Sequence, residues 1–248
     1  MAFQVSPGVQ VKEIDATGVI PAVSTSIGGT AGAFNWGPVL EAITVGSETE
    51  LANIFGTPDS KTFKYFLTAA SFLKYGNALK VVRAVGANAL NASDGTAQLV
   101  KNEDHYEDGG LTFDGNFIAK YPGDLGNSLE VQVCPVSASD TVFDAWTHKG
   151  QFDGAPGTSD TAAAASKTGD ELHVAVIDKS GAWTGTAGTV LETFQFVSQA
   201  SNGKKSDGSS NYYVNVINNE SQYVWWGSHD SELTDAGKET TAVSNNSF

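Results

Sequence analysis

The sequence predicts an α+β fold rich in β-structure, in which an extended N-terminal arm precedes a small α/β unit and a mainly β domain. The composition favours strands and turns, because only 17% of the 248 residues are charged while 27 are glycine. Two helix start signals occur in the first third of the chain, and short apolar runs separated by turn residues fill the rest. We therefore divide the chain into an arm at residues 1–18, an α/β unit at residues 19–86 and a β-rich domain at residues 87–248.

The arm is predicted from a brief alternation of apolar and polar residues. A Ser-Pro-Gly turn signal precedes two valines at alternate positions, with glutamine and lysine pointing to the other face. Such a short strand buries little surface within its own chain, so we expect it to pair with the sheet edge of another molecule. The residues that we assign to this subunit interface are Ser6, Pro7, Gly8, Val9, Val11 and Ile14.

The α/β unit is predicted to begin with a buried strand at residues 19–34, where glycines lie among small and β-branched side chains. Residues 35–38 end this strand. A first helix is expected after Ser47, because Glu50 completes a capping box. A further strand is expected at residues 79–85, so helices and strands alternate in this unit.

A second, longer helix is expected after Asp59 or Ser60. It should stop at Gly76 in the left-handed conformation that glycine tolerates. Its apolar residues recur at helical spacing, which predicts that they face the core. They are Phe63, Phe66, Leu67, Ala70 and Leu73.

The β-rich domain is predicted from short apolar runs. The runs lie at residues 98–101, 111–113, 129–136, 172–178, 191–198 and 212–217, followed by the aromatic segment 223–226. Residues 150–169 carry almost no large apolar side chain and are expected to form a long surface loop. The polar residues 228–248 add no closing apolar element, so we expect the chain to stop before its fold is complete.

The charge balance argues against nucleic acid and membrane partners. The chain has 14 lysine and arginine residues against 28 acidic ones, a net charge of -14, and so lacks a basic surface for phosphates. Nowhere do about 18 apolar residues follow one another, and the N-terminus lacks a secretory signal. We expect a soluble protein made in a cytoplasm, with Cys134 as a buried thiol and no internal disulfide.

No catalytic, cofactor or metal site is predicted. The four histidines lie far apart, without the spacing of a helix-based zinc site, at His105, His148, His173 and His229. An acidic group at residues 103–108 could ligate calcium, but it lacks the spacing of a known calcium loop, so a solvated turn is favoured. Nucleophile-elbow and phosphate-binding glycine motifs are absent.

The five tryptophans allow two interpretations. They are Trp36, Trp146, Trp183, Trp225 and Trp226. In a β-rich domain, aromatic side chains usually pack in the core or pair across strands, although exposed rings could form a platform that stacks sugars. We favour packing in the core.

The first 86 residues carry an ordered set of motifs that resembles contractile bacteriophage tail sheath proteins. The motifs are Ser6-Pro7-Gly8, Trp36-Gly37-Pro38, the Phe55-Gly56 helix end, and residues 72–77 leading into Val81-Val82-Arg83. A further match, at residues 121–127 leading into residues 129–131, is similar to the strand entry of the family's next domain. About half of the chain matches only in its β-rich character.

The resemblance implies a structural subunit, not an enzyme. In the family, subunits polymerise helically around a tail tube, and the array contracts without nucleotide to drive the tube through the host cell envelope during genome ejection. The implied partners are other copies of the chain, in a helical or hexameric-ring array, and the tail tube, baseplate and tail terminator proteins. The implied location is the tail sheath of the virion, with assembly in the host cytoplasm.

This chain departs from the family in two respects. Family members are longer, and their final region contacts the tube and completes the linkage between neighbours. We therefore expect the tube contacts beyond Phe248 and expect the α/β unit at residues 19–86 to be a segment that the missing C-terminal part completes. The stretch between Val85 and Tyr121 is short, which implies that an outer domain inserted in some relatives is missing.

Two other functions stay open at this stage. Polar loops and tryptophans are compatible with a carbohydrate-binding or host-recognition module of a virion. Scattered histidine, aspartate and serine residues leave a hydrolase possible only through folding.

Overall fold

The fold is described from a computed structural model, which covers residues 27–229 and 244–248. The predicted arm, with all six of its interface residues, lies outside these described residues, as does the first part of the predicted strand at residues 19–34. Within them, helices combine with parallel and antiparallel strands, which confirms the α+β fold class. No helix in these two ranges is both long and apolar enough to cross a membrane.

The α/β unit contains a three-stranded mixed sheet. Its strands are β1 (Gly28–Gly32), β2 (Ala42–Val45) and β3 (Leu79–Arg83). The order is β1-β3-β2, with β3 parallel to β1 and antiparallel to β2. The sequence did not predict β2, because a four-residue alternation is too short to stand out from its surroundings.

The helix α1 (Glu48–Phe55) has the start and stop that the sequence predicts. The Ser47 hydroxyl accepts a hydrogen bond from the Glu50 N–H at 3.2 Å, and the Glu50 carboxylate accepts one from the Gly46 N–H at 2.8 Å. Gly56 ends the helix at a φ of 77°. The Ser47 cap and the glycine stop are therefore confirmed, whereas the Glu50 carboxylate binds the N–H of Gly46 and not that of Ser47, as a capping box would require.

The helix α2 (Phe63–Leu73) confirms the predicted element but not its whole core face. Phe66 and Ala70 are buried, whereas Phe63 and Leu67 are 42% and 53% exposed. The prediction that these two residues face the core is wrong. A helix on the outside of a two-layer unit buries only the narrow stripe that touches the sheet, and an apolar pattern wider than that stripe leaves side chains exposed.

Gly76 follows α2 for a reason other than the predicted one. Its φ is not positive, so the expected left-handed stop is wrong. A Cβ atom at Gly76 would lie 2.9 Å from the ring of Phe72. The glycine therefore permits a close approach to that ring.

The second half of the chain is built on a four-stranded antiparallel sheet in the order β7-β6-β5-β9, with a separate pair of β4 and β8. The strands are β4 (Phe117–Ala119), β5 (Leu129–Pro135), β6 (Glu171–Asp178), β7 (Thr189–Ser198), β8 (Val224–Trp226) and β9 (Ser244–Ser247). The helices are α3 (Glu103–Asp108), α4 (Thr141–Ala145), α5 (Asp160–Ala164) and α6 (Tyr213–Glu220), with 3₁₀ turns at Asp124–Ser128, Ala138–Asp140 and Lys149–Gln151.

The predicted strand at residues 212–217 is wrong, because this segment begins α6. Tyr213, Val216 and Ile217 are buried at helical spacing, and α6 packs against β7 and β8. Aromatic and β-branched residues favour strands only weakly, so tertiary packing decides such a short run.

Two other expectations for this half need correction, and the polar end of the chain shows one further element. Residues 98–101 and 111–113 form no strand, and Gln98 makes only an isolated bridge to Asn91. The expected loop at residues 150–169 contains α5. The polar end of the chain contributes β9, which pairs with β5.

His173 of β6 is a fully buried histidine whose two ring nitrogens are both hydrogen-bonded. Nδ1 accepts from the Phe196 N–H at 3.0 Å, which leaves the proton on Nε2 to be donated to the Gly154 carbonyl at 2.8 Å. The ring also stacks on Phe152 at a centroid distance of 4.5 Å. Burial lowers the pKa of His173, so the folded protein holds this ring neutral.

We expect the free energy of unfolding to fall as the pH is lowered from about 6.5, the ordinary histidine pKa. Between that value and the lowered pKa of folded His173, the unfolded chain binds a proton that the folded chain does not. Through this proton, His173 changes the free energy of unfolding by at most about 1.4 kcal/mol per pH unit. Urea unfolding between about pH 7 and 5 measures how steeply the free energy of unfolding changes with pH.

The variant His173→Gln should show a shallower pH slope than the unmodified protein. His148→Gln is the matched control, since it removes a half-buried histidine whose ring makes no hydrogen bond to the described residues and lies edge-on to Trp146. Equal slopes in the two variants would contradict the assignment to His173.

Candidate assembly surface

Arg83, at the end of β3, is a buried cation that binds backbone carbonyl groups. Its side chain donates from Nε to the Phe34 oxygen at 2.8 Å, from Nη1 to the Gly37 oxygen at 2.8 Å, and from Nη2 to the Asn35 oxygen at 3.3 Å and the Pro122 oxygen at 2.6 Å. The residue is 2% exposed, and no salt bridge in the described residues involves it. Burial lowers its pKa to about 10, so the guanidinium stays charged at neutral pH.

Two glycines shape the backbone around this guanidinium. Gly37 and Gly123 have φ values of 97° and 135°, which side chains rarely adopt. A Cβ atom at Gly123 would also lie 3.1 Å from Arg83 Nη2. Two of the four carbonyl acceptors, those of Gly37 and Pro122, thus lie in the motifs at residues 36–38 and 121–127, and the other two, at residues 34 and 35, directly precede the first motif.

The Trp36 side chain packs in the apolar core of the second half and so provides a further contact between the α/β unit and that half. The side chain is 3% exposed and belongs to the core cluster that includes the β5, β6 and β7 side chains. Its ring lies edge-on to Trp183 at 4.8 Å and to Tyr121 at 5.4 Å, measured between centroids. We call Arg83, its carbonyl partners and Trp36 the Arg83 junction, because together they join the α/β unit to the rest of the fold.

The segment before β2 is held to both halves of the chain. The Val39 N–H donates to the Lys101 carbonyl at 2.8 Å, and the Asn102 amide donates to the Val39 carbonyl at 3.3 Å. The Leu40 N–H donates to the Arg83 carbonyl at 3.1 Å. Leu40 has a φ of 59° and is 67% exposed, so its side chain projects into solvent from a fixed backbone.

Exposed large apolar side chains are concentrated in the α/β unit. Those of the described residues are Ile27, Leu40, Phe63, Tyr65, Leu67, Tyr75 and Leu90. Three of them are on α2, and Tyr75 lies two residues beyond the end of that helix with 95% of its surface exposed. Phe63 and Leu67, four residues apart, share one flank of α2, whereas the Tyr65 ring lies against Gly32 of β1. Exposed apolar side chains that share a face mark surfaces that bind other proteins, so the flank with Phe63 and Leu67 is the candidate assembly surface.

The sheet beside α2 is also open. β1 is an edge strand, and no described strand pairs with its outer edge. On the sheet face opposite the helices, Gly29, Ala31, Thr44 and Lys80 are exposed. An unpaired edge offers backbone N–H and carbonyl groups to an added strand.

The candidate chemical residues do not converge on a site in the described ranges. No three His, Cys, Asp or Glu side chains there lie close enough to hold a metal ion. The acidic group that could have ligated calcium forms the exposed helix α3, capped by the Asn102 side chain. Cys134 is fully buried, as predicted, and burial raises the pKa of its thiol to about 12.

The tryptophans belong mainly to the core. Trp36, Trp146 and Trp225 are at most 5% exposed, which confirms the core interpretation for them. A cleft of about 610 Å³ lies beside Trp183 and Tyr223, but these rings meet edge-on at 4.9 Å and pack against the core. They do not form the flat platform that would stack a sugar.

Arg83 ends one of the motifs that carry the family resemblance, but its own segment does not indicate its role, since a lone arginine in a strand has no local partner. The two positive-φ glycines could have indicated a tightly bent backbone near a buried group, but not which side chain fills it. The exposed Leu40 was likewise missed, because nothing in its neighbours specifies a left-handed backbone.

Comparison with known proteins shows that the chain is similar to phage tail sheath proteins. Residues 25–84 match the family described as "Tail sheath protein Gp18 domain III N-terminal region". The tail sheath protein of Salmonella phage ViI is 35% identical over 193 residues, which cover 76% of this chain and 28% of the relative. The tail sheath protein of Enterobacteria phage T4 is 41% identical over 88 residues, covering 36% and 13% respectively. The resemblance inferred from the motifs is confirmed, and the chain spans less than a third of either relative.

Two solved structures show a weaker likeness. The sheath tail protein Lin1278 from Listeria innocua is 13% identical, with a TM-score of 0.42, over 90% of this chain and 34% of that chain. The sheath tail protein from Desulfitobacterium hafniense is 12% identical, with a TM-score of 0.39, over 99% of this chain and 38% of that chain.

We expect Arg83→Lys and Arg83→Met to lower the free energy of unfolding by about 3 kcal/mol, because both leave buried carbonyl groups without donors. Urea unfolding measures the loss. Lys80→Met is the matched control, since Lys80 is an exposed cation on the same strand and should change stability by less than about 0.5 kcal/mol. An equal loss in the Arg83 and Lys80 variants would contradict the junction.

Proposed function

We propose that this relative of the phage tail sheath proteins is itself a structural subunit of a contractile tail sheath. The observation that carries the proposal is the match of residues 25–84 to the N-terminal region of sheath domain III. The identity of 35% over 193 residues to another tail sheath protein supports it over a larger part of the chain. In this proposal residues 19–86 form the sheath unit and residues 87–248 an outer β-rich domain.

The arm at residues 1–18 links one subunit to another in this proposal. Its valines at alternate positions suit a strand that joins a neighbour's sheet edge, and the open edge of β1 is one such site. Each backbone hydrogen bond of the added strand contributes about 0.5 to 1.5 kcal/mol net. A tether of this type keeps the array connected while the subunits rotate.

Contraction without nucleotide requires two packings of the same subunits that differ in free energy, because contacts drive a change only through that difference. The buried Arg83 junction supports a subunit that moves as one body. In our proposal the array shortens around the tail tube and drives it through the host envelope during genome ejection.

The proposed array has other tail proteins as its partners. The tail tube, baseplate and tail terminator proteins contact the assembled array, and the subunits assemble in the host cytoplasm before they form part of the virion. The work is mechanical, so the proposal assigns no catalytic residue. The structural character of the matched family supports this.

Deletion of residues 1–15 should abolish polymerisation, because it removes the strand that links neighbouring subunits. Negative-stain electron microscopy and sedimentation measure polymer formation, and circular dichroism checks that the folded body persists. Normal polymers from the deletion variant would count against the proposal.

A pair of double variants tests the face of the arm. Val9→Ser with Val11→Ser removes the apolar face, whereas Gln10→Ser with Lys12→Ser changes the opposite face as a matched control. We expect only the valine variant to lose polymers. Equal losses would argue against a paired strand.

A further inference from the structure

The strand β7 contains a bulge opposite His173. Two of its residues, Gln195 and Phe196, lie opposite the single residue His173 of β6, because the pairing on the two sides of the bulge differs by one residue. Phe194 and Val197, which flank the bulge, therefore both belong to the core cluster of the second half. In a strand without an extra residue, side chains three positions apart lie on opposite faces. We call the observed pairing the bulged register.

Phe196 has a strained backbone within this bulge. Its φ of 53° lies in the left-handed region, which bulky side chains rarely adopt. Its N–H donates to Nδ1 of His173 at 3.0 Å, and its carbonyl accepts from the side-chain amide of Asn211 at 2.8 Å. Two side chains from other segments thus hold Phe196 in a conformation that costs free energy.

Gln199, three residues beyond Phe196, carries a second cost. It is 8% exposed, and neither the oxygen nor the nitrogen of its side-chain amide makes a hydrogen bond within the described residues. Alternation along the strand places this side chain on the same side as Val197, which packs in the core. A buried amide without partners destabilises the folded state. The bulged register therefore leaves two groups of β7 poorly accommodated.

A register without the bulge would relieve both groups. If the pairing before the bulge continued through it, Phe196 would adopt an extended backbone in the core position of Val197, and Gln199 would turn to the opposite face. Ser198 would lie directly opposite Asp170, whose carboxylate already accepts a hydrogen bond from the Ser198 hydroxyl. The opposing cost is the larger volume of phenylalanine in a core position that valine fills. We call this alternative the regular register.

We propose that β7 has access to both registers and that the neutral ring of His173 holds it in the bulged one, so that protonation of the ring releases the strand. In the neutral ring, Nδ1 is the acceptor for the Phe196 N–H. Once protonated, Nδ1 is a donor that faces another donor, and this hydrogen bond is lost. Nε2 still donates to the Gly154 carbonyl, so the ring stays in place while Phe196 is freed. The inference is independent of the proposed sheath function.

The groups around the ring keep it neutral in the bulged register. The ring contacts three aromatic side chains, those of Phe143, Phe152 and Phe196. Cys134 of β5 lies directly across from His173, and burial raises the pKa of its thiol to about 12, so that it carries no charge. Burial is also the main cause that lowers the pKa of His173.

The carboxylates on the elements packed against the ring are hydrogen-bonded elsewhere or exposed. Glu171 lies two positions before His173 on the same face of β6, and its carboxylate accepts a hydrogen bond from the Gly157 N–H at 2.9 Å. Asp144 of α4 and Asp153 in the segment after it are exposed. The regular register leaves Nδ1 free to bind a proton, so its share should grow as the pH falls below about 6.5.

Solution NMR of the isotope-labelled 248-residue chain tests the proposal. Contacts between backbone protons across the strands distinguish the registers, because Leu172 lies opposite Val197 in the bulged register and opposite Phe196 in the regular one. We expect only the first contact near neutral pH. The ratio of regular to bulged register should rise up to about tenfold per pH unit once the ring of His173 takes up a proton, which its ring carbon shifts report. Protonation or acid unfolding without the contact between Leu172 and Phe196 overturns the proposal.

Two substitutions should shift the ratio at constant pH. Asn211→Ala removes the donor to the Phe196 carbonyl and should raise the share of the regular register about fivefold near neutral pH. Gln199→Leu places an apolar side chain in the buried position and should lower that share about tenfold in acid, with a higher melting temperature. Gln195→Leu is the matched control, since Gln195 is an exposed glutamine of the bulge. Equal effects of the two glutamine variants overturn the proposal.

His173→Gln separates the charge of the ring from its position in the fold. Glutamine does not titrate, and its side-chain oxygen is an acceptor for the Phe196 N–H. We expect this variant to keep the bulged register at an acidic pH where the unmodified chain changes register. A register ratio that still follows pH in the variant overturns the role of His173.

Discussion

The desolvated guanidinium of Arg83 is the constraint on which the rest of the structure depends. A cation removed from water without a carboxylate is tolerated only when its N–H groups meet oxygen acceptors. Here those acceptors are carbonyl groups at residues 34–37 and at Pro122, so satisfying one side chain fixes two distant segments against β3. The backbone carbonyl of Arg83 also accepts a hydrogen bond from the Leu40 N–H. Arg83 therefore fixes the backbone position of the exposed Leu40 as well.

A buried carboxylate supports the junction from the other side. Asp178 accepts hydrogen bonds from the Ser128 hydroxyl at 2.6 Å and from the N–H groups of Trp183 at 3.0 Å and Thr184 at 2.8 Å. Although burial alone would raise it, these hydrogen bonds lower the pKa of Asp178 overall. The loop that they hold carries Trp183 against Trp36, so polar and aromatic contacts meet at one place.

Exposed apolar surface is unevenly distributed over the described residues. The sheet of the second half buries its apolar side chains against α6 and its own neighbours, whereas the α/β unit leaves α2 and one sheet edge uncovered. No metal-binding cluster occurs among residues 27–229 and 244–248.

The sequence by itself determined the local elements of this protein and its resemblance to the tail sheath family. The Ser47 cap, the Gly56 stop and the buried strands β5 and β6 each depend on side chains within a few residues of one another. Only the tertiary structure decided that residues 213–220 form a helix and that Arg83 bonds a carbonyl 49 residues away. Such choices depend on which distant groups remain unsatisfied once the chain is packed, and a linear pattern does not encode that.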